Sequence, residues 1–167
     1  VNLMGQYKDF LITIGFIKNP SRRIEKFEYL KTLGAMFPLI ISSLAHVSKS
    51  SSIGEGTIVM HQAIVSPGVC VGKNCIINTL ALIEHDAKVG DHSQISTGSI
   101  VNGDCRIGNR VFIGSNSVVV NNVHIGDDVV IGAGCVVTQS IGKRGIYVGN
   151  PARRVNKDDK NWVGKIN

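Results

Sequence analysis

From Val47 onward the chain repeats one aliphatic position every six residues: Val47, Ile53, Val59, Val65, Val71, Ile77, Ile83, Val89, Ile95, Val101, Ile107, Ile113, Val119, Ile125, Ile131 and Val137. Each is Val or Ile, residue types that pack well on a pleated wall. The position two residues earlier is small or compact, as in Ala45, Ser51, Thr57, Ala63, Cys75, Ala81, Ser93, Ser99, Cys105 and Cys135. Two inward positions in every six predict short strands separated by turns. Gly54, Gly72, Gly90, Gly108 and Gly126 superimpose a period of eighteen, so three hexads make one turn of a triangular prism. The fold expected is mainly β, a parallel β-helix of hexapeptide repeats with about five coils. The aliphatic residue fills the prism, the small residue lets the wall pass close to the corner, and the recurrent glycine is expected to take the tight bend. Cys75, Cys105 and Cys135 then belong to the core, and Cys70 points outward.

The pattern changes before the repeat. Phe10–Ile17 reads as a buried strand and Asn19-Pro20-Ser21 as a helix start. Ile24, Phe27, Leu30 and Leu33 give the helix an apolar face, Gly34 closes it, and a second strand is expected near Phe37–Ile41. This strand, helix and strand form a partial α/β (βαβ) segment, like the last unit of a nucleotide-binding domain, with no Gly-rich GxGxxG turn before residue 34. Three regions result: residues 1–41, a partial α/β nucleotide-sugar-binding segment; 42–141, the β-helix; and 142–167, a basic extension.

Charge follows the same division. The formal net charge is +6, but residues 35–141 carry five basic and seven acidic side chains, so the excess positive charge sits at the two ends. A nucleic-acid binder more often carries a basic stripe interleaved with aromatics, and aromatics are only 5% here, so no nucleic-acid partner is expected. The four cysteines contain no CxxC pair and no recognisable signal peptide is present, so the cytoplasm is the expected compartment. The longest apolar stretch, Met36–Val47, holds Pro38, Ser42, Ser43 and His46 and is too short and polar to span a bilayer.

All five histidines, 46, 61, 85, 92 and 124, fall on outward positions of the hexad register, so none is expected to be a satisfied core histidine. His85 is flanked by Glu84 and Asp86, follows Asn78-Thr79, and stacks one coil from Pro67 and Gly103. Pro67 and Gly103 carry little side chain, which leaves space beside the imidazole and bares the Gly103 N–H. An acidic neighbour fixes the tautomer and raises the basicity of a histidine, as general-base chemistry near neutral pH requires. Lys143, Arg144, Arg153 and Arg154 surround Gly149-Asn150-Pro151-Ala152 and suit an anionic ligand along the last coils.

The hexad array resembles the left-handed β-helix acyltransferases. Ile76-Ile77-Asn78-Thr79, Ile83-Glu84-His85-Asp86 and Val89-Gly90-Asp91 resemble the sugar O-acyltransferase family, which includes sialic acid O-acetyltransferases and acetyltransferases of nucleotide-linked amino sugars. The resemblance covers about residues 10–155. It implies a homotrimer with acetyl-CoA between adjacent prisms, moving an acetyl group to an amine or hydroxyl of a nucleotide-linked bacterial sugar. His85 would be the general base, Asp86 its orienting partner, and Gly103 the donor to the thioester oxygen. Asn78 and Glu84 would lie near the acceptor. Gly132 and Ala133 would run along the pantetheine, with Asn150, Pro151 and Arg153 near the CoA nucleotide. The family often has a second histidine nine residues after the first, beside the cofactor; that place is Gln94 here. No metal is expected, because the histidine intervals do not fit a gamma-class carbonic anhydrase. Thr79 and Thr97 alone are too short a column for an ice-binding surface. The alternative reading is a truncated, inactive trimeric β-helix that binds CoA at most.

Overall fold

The computed structural model describes residues 5–155, so part of the basic extension expected at 142–167 lies outside the described residues. A helix, α1 (Ser21–Thr32), precedes a left-handed β-helix whose strands of two or three residues recur about every six residues from Ile40–Ile41 to Val136–Val137. Three parallel sheets form the faces of the prism. The first runs from Ile40–Ile41 through Gln94–Ile95 to Val129–Ile131, the second from His46–Val47 through Leu82–Ile83 to Val136–Val137, and the third from Ser52–Ile53 through Lys88–Val89 to His124–Ile125. From Ile40–Ile41 to Val136–Val137 the pairings are shifted by eighteen residues, for instance Leu82↔Ile100 and Ile83↔Val101; beyond them Gly145–Val148 pairs with Val129–Ile131 at a shift of sixteen and Arg153–Arg154 closes the first sheet antiparallel. The second sheet has six strands, so the prism makes about six turns rather than five. The additional turn arises because Ile40–Ile41 pairs with Ile58–Val59. The strand expected near Phe37–Ile41 therefore belongs to the prism.

From Val59 to Val137 every repeat aliphatic residue is buried. The small inward residues do more than make room, because several donate to a corner carbonyl of the next coil. Thr57 Oγ1 reaches Gly72 O at 2.8 Å, Ser99 Oγ reaches Gly114 O at 2.7 Å, and Ser117 Oγ reaches Gly132 O at 2.7 Å. A buried polar group without such a partner would cost stability. Cys75, Cys105 and Cys135 are buried in the same positions, and Cys70 is exposed.

The bends are not made by the recurrent glycines. Positive φ occurs at every sixth residue from Gly56 to Gly134, and most of these corner residues are not glycine: Asn74, Leu80, Asp86, His92, Asp104 and Arg110 among them. Gly90 and its column instead permit close approach. A Cβ on Gly90 would lie 2.6 Å from the carbonyl carbon of Gly108 and 2.7 Å from its oxygen.

Residues 5–37 lie against the prism. Phe10–Ile17 is not a strand, since the only pairing is a bridge between Asp9 and Met36. The segment is held by a side chain: Arg23, 1% exposed, donates from Nη1 to the carbonyls of Ile12 and Ile14 and from Nε to Asn74 O at 3.1 Å. Helix α1 thus buries Arg23 and Phe27, one helical turn apart, while Leu33 at its end is 48% exposed. Phe27 stacks against Phe37 with centroids 4.3 Å apart.

Candidate active site

The three faces of the prism have different outer surfaces. On the first, Phe16 packs on Phe112 and Val130 beneath the N-terminal segment. The third presents Ser52, Cys70, Lys88, Arg106 and His124 to water. The second is an uncovered apolar column, Ile64, Leu82, Ile100, Val118 and Val136, with Leu44 and Leu80 exposed along one edge.

His85 stands at the other edge of that face, in the corner between Leu82–Ile83 and Lys88–Val89. Its neighbours one coil away are those expected: Asp86 N–H donates to Pro67 O at 3.0 Å, and Asp104 N–H to His85 O at 3.1 Å. The imidazole and the Asp86 carboxylate are both more than half exposed, with Nδ1 3.0 Å from Asp86 Oδ2. The carboxylate accepts the Nδ1 proton, which leaves the lone pair on Nε2. Hydrogen bonding to Asp86 holds the His85 pKa above its ordinary value, and the charges of Asp86, Asp104 and Glu84 act in the same direction.

Nε2 faces Gly103. A Cβ there would stand 2.6 Å from Nε2, so only glycine lets the ring occupy this place. The ring covers Gly103, which is buried, so the space expected beside the imidazole is filled by the imidazole itself. The Gly103 N–H has no acceptor among the described residues. What the corner offers chemically is an oriented base with a raised pKa, an unused backbone donor beneath it, and an adjoining apolar face.

The family model for bacterial transferase hexapeptide repeats matches residues 86–121 and 104–139. No curated protein sequence matches the chain. Among solved structures, the acetyltransferase domain of PglB from Neisseria gonorrhoeae FA1090 is 30% identical over 92% of this chain and 76% of that one, with a TM-score of 0.85. That domain has also been solved in complex with acetyl coenzyme A. The chain belongs to the sugar acyltransferase family of hexapeptide-repeat proteins. PerB from Caulobacter crescentus, solved with CoA and GDP-perosamine, is 28% identical over 92% of this chain and 73% of that one, with a TM-score of 0.88. WeeI from Acinetobacter baumannii AYE, at 24% identity and a TM-score of 0.69, shares the fold.

The other site residues expected from the sequence resemblance do not all meet in one chain. Glu84 shares the His85 corner and accepts a hydrogen bond from Ser66 Oγ at 3.3 Å. Asn78 lies on the corner between the first and second faces, with Leu82–Ile83 separating it from His85, and its Oδ1 takes the Thr79 N–H at 2.8 Å. Gly132 and Ala133 occupy Asn78's corner three coils later. The exposed Asn150-Pro151 turn is close to them, because Gly149 O and the Ala152 N–H bracket Val136 at the end of the second face. Arg153 is exposed beside a cleft of about 200 Å³ formed with Thr138, Gln139 and Tyr147. Three strand spacings, about 14 Å, separate the coil of His85 from that of Val136.

Two of the outward residues singled out from the sequence are not at the surface. Gln94, expected beside the cofactor, is 9% exposed, and its Oε1 accepts the Phe16 N–H at 3.3 Å. It fastens the N-terminal segment to the first face. His92 is 8% exposed beneath α1, contrary to the expectation that no histidine would be a satisfied buried one. Asn74 Nδ2 donates to its Nδ1 at 2.9 Å, and Phe27 meets the ring edge-on at 5.9 Å. The hexad register alone does not reveal either burial. The signal that could have done so is the pairing of Arg23 with Phe27 at one helical turn, which marks the corner side of α1. Among the described residues no group of three His, Cys, Asp or Glu side chains could hold a metal ion, and no helix is long and apolar enough to cross a membrane.

Proposed function

We propose that this protein transfers the acetyl group of acetyl-CoA to the amine of a nucleotide-linked sugar, with His85 as general base. The observation that carries this reading is the His85–Asp86 pair at the edge of an uncovered apolar face, with the Nε2 lone pair next to Gly103. PglB with acetyl coenzyme A and PerB with CoA and GDP-perosamine support the choice of donor and acceptor class. An amine is favoured over a hydroxyl because Glu84, Asp86 and Asp104 surround His85 and none pairs with a lysine or arginine among the described residues, a field that attracts an ammonium group. Once the ammonium has lost one proton, its nitrogen attacks the thioester carbonyl and Nε2 takes the second proton. The Gly103 N–H would donate to the oxyanion. Collapse breaks the C–S bond, the CoA thiolate recovers the proton from His85, and an amide remains.

A second copy of the chain covers the Leu82–Ile100–Val118 column in this reading, and threefold closure makes the assembly a homotrimer. Such packing carries the Asn78 and Gly132–Ala133 corner of one protomer toward the His85 corner of its partner, which one chain alone does not achieve. Dependence on acetyl-CoA, together with four unpaired cysteines, favours the cytoplasm. The test is calorimetric titration with CoA, followed by CoA release from acetyl-CoA with UDP-, GDP- and dTDP-linked amino sugars. His85→Ala is expected to lower turnover by about 10²-fold or more without changing the melting temperature. An active His85→Ala variant overturns the assignment of the base, and absence of CoA binding favours the inactive alternative.

A further inference from the structure

Asp86 lies in a left-handed corner at φ +61°, and its carboxylate is 63% exposed, so no packed side chains fix its direction. One of its oxygens accepts from His85. The other, Oδ1, fills the place that a Cβ on Gly68, the same corner position one coil earlier, would take. A Cβ at Gly68 would collide with Oδ1 and stand 3.2 Å from Cγ. We propose that Gly68 is a positioning residue for acetyl transfer. Its bare Cα is the floor on which the Asp86 carboxylate lies, and that placement sets the tautomer and basicity of His85.

The inference rests on the reading of His85 as the base. It deepens that reading because it makes the catalytic pair depend on a residue that carries no reacting side chain and meets Asp86 rather than the imidazole. The same construction recurs at Gly98, where Asn116 Oδ1 fills the place that a Cβ on the glycine would take, at the edge of the second face opposite the His85 of the same chain. Gly98→Asn therefore tests whether crowding a corner glycine moves His85 without touching Asp86. Backbone strain can also be removed from the test, since the chain itself places asparagine in this corner conformation at Asn74, Asn116 and Asn122, with φ of 53°, 56° and 63°. Gly68→Asn adds a Cβ without requiring a new backbone. What yields is the exposed end of Asp86, which turns away from His85.

The experiment is an NMR titration of the His85 ring in the wild type, Gly68→Asn, Gly68→Ala, Asp86→Asn and Gly98→Asn, paired with pH profiles of acetyl transfer. Other charges facing the ring, Glu84 and Asp104, are the same in all five. The His85 midpoint is expected to fall in both Gly68 variants toward its position in Asp86→Asn and to keep its wild-type value in Gly98→Asn. The acid limb of kcat/KM moves with it, kcat/KM drops by about tenfold or more, and Gly68→Asn/Asp86→Asn is no worse than Asp86→Asn alone. An unmoved midpoint in Gly68→Asn overturns the proposal, as does an equal shift in Gly98→Asn. Failure of both Gly68 variants to fold also overturns it, because the corner would then yield before the carboxylate. The titration needs no turnover, so it decides the link from Gly68 to His85 even if the protein transfers nothing.

Discussion

Replacing Gly90 with alanine tests what the eighteen-residue glycine column is for. The added Cβ would lie 2.6 Å from the carbonyl carbon of Gly108, 2.7 Å from its oxygen and 2.7 Å from Asn109 Oδ1. Carbon atoms at rest sit about 3.5–4.0 Å apart, so the methyl enters the backbone of the next coil by about 1 Å. That backbone cannot step aside, because Gly90 N–H and Gly108 N–H each donate to the following coil at 2.8 Å. Opening the corner stretches both ladder bonds. At about 1 kcal/mol for each bond and about 1–3 kcal/mol for overpacking, the loss is roughly 3–5 kcal/mol. For a chain of this size that lowers the melting temperature by roughly 6–20 °C. Gly134→Ala is the comparison, since Gly134 has φ +67° and open space around its Cα. It should lose only the left-handed backbone cost of about 1–2 kcal/mol. Thermal unfolding followed by circular dichroism separates the two. If Gly90→Ala melts no lower than Gly134→Ala, close approach between coils is not the reason for the column.

Three further outcomes are expected. Asp86 holds the His85 pKa above its ordinary value of 6.5, and the proposed base acts in its neutral form, so the acid limb of kcat/KM should lie above pH 6.5 and move to lower pH in Asp86→Asn; a limb that stays in place removes Asp86 from that role. His92 is held below 6.5, chiefly by burial and against the opposing charges of Asp91 and Glu28, so the folded state binds fewer protons there than the unfolded one. Its contribution to stability is complete above pH 6.5 and is lost as pH falls through its folded pKa, so melting curves between pH 8 and 5 should show a shallower decline in His92→Gln than in the wild type. Ile100→Glu puts a charge at the centre of the uncovered second face and should convert a trimer to monomers in sedimentation velocity, whereas a wild-type monomer would refute the assembly.

The interior of the prism was legible because a period of six leaves little freedom inside. The buried aliphatic residues from Val59 to Val137 fall where the repeat puts them, and so do Cys75, Cys105 and Cys135. The His85 corner was legible for the same reason, since a shift of eighteen residues brings Pro67 and Gly103 against it. The bends were misjudged because a repeated glycine suits both a left-handed turn and a close contact, and spacing does not distinguish them. Nor does the register say which outward column will be covered. Gln94, His92 and Phe112 all point out of the prism, yet each is buried by residues 5–37. That docking depends on Arg23, which the apolar pattern of the helix does not single out and whose burial beneath the segment pushes its pKa down to about 10. The run Phe10–Ile17 was apolar enough to suggest a strand. Its carbonyls at Ile12 and Ile14 found the guanidinium instead of a neighbouring strand.

The division between inward and outward positions also explains how a site with so little burial keeps its geometry. In a solenoid each coil is stabilised by the coils above and below it, and here that stability comes from Val, Ile and the small residues that point inward. Corner residues contribute little to it, so His85 and Asp86 can both be more than half exposed and still sit on a rigid frame. Their orientation comes from the bare backbone of adjacent coils, Gly68 under the carboxylate and Gly103 under the ring. A substitution of His85 should therefore change the chemistry and leave the fold intact. A substitution of Gly68 should disturb the pair without removing any group that reacts, and this difference separates the residues that react from those that hold them in place.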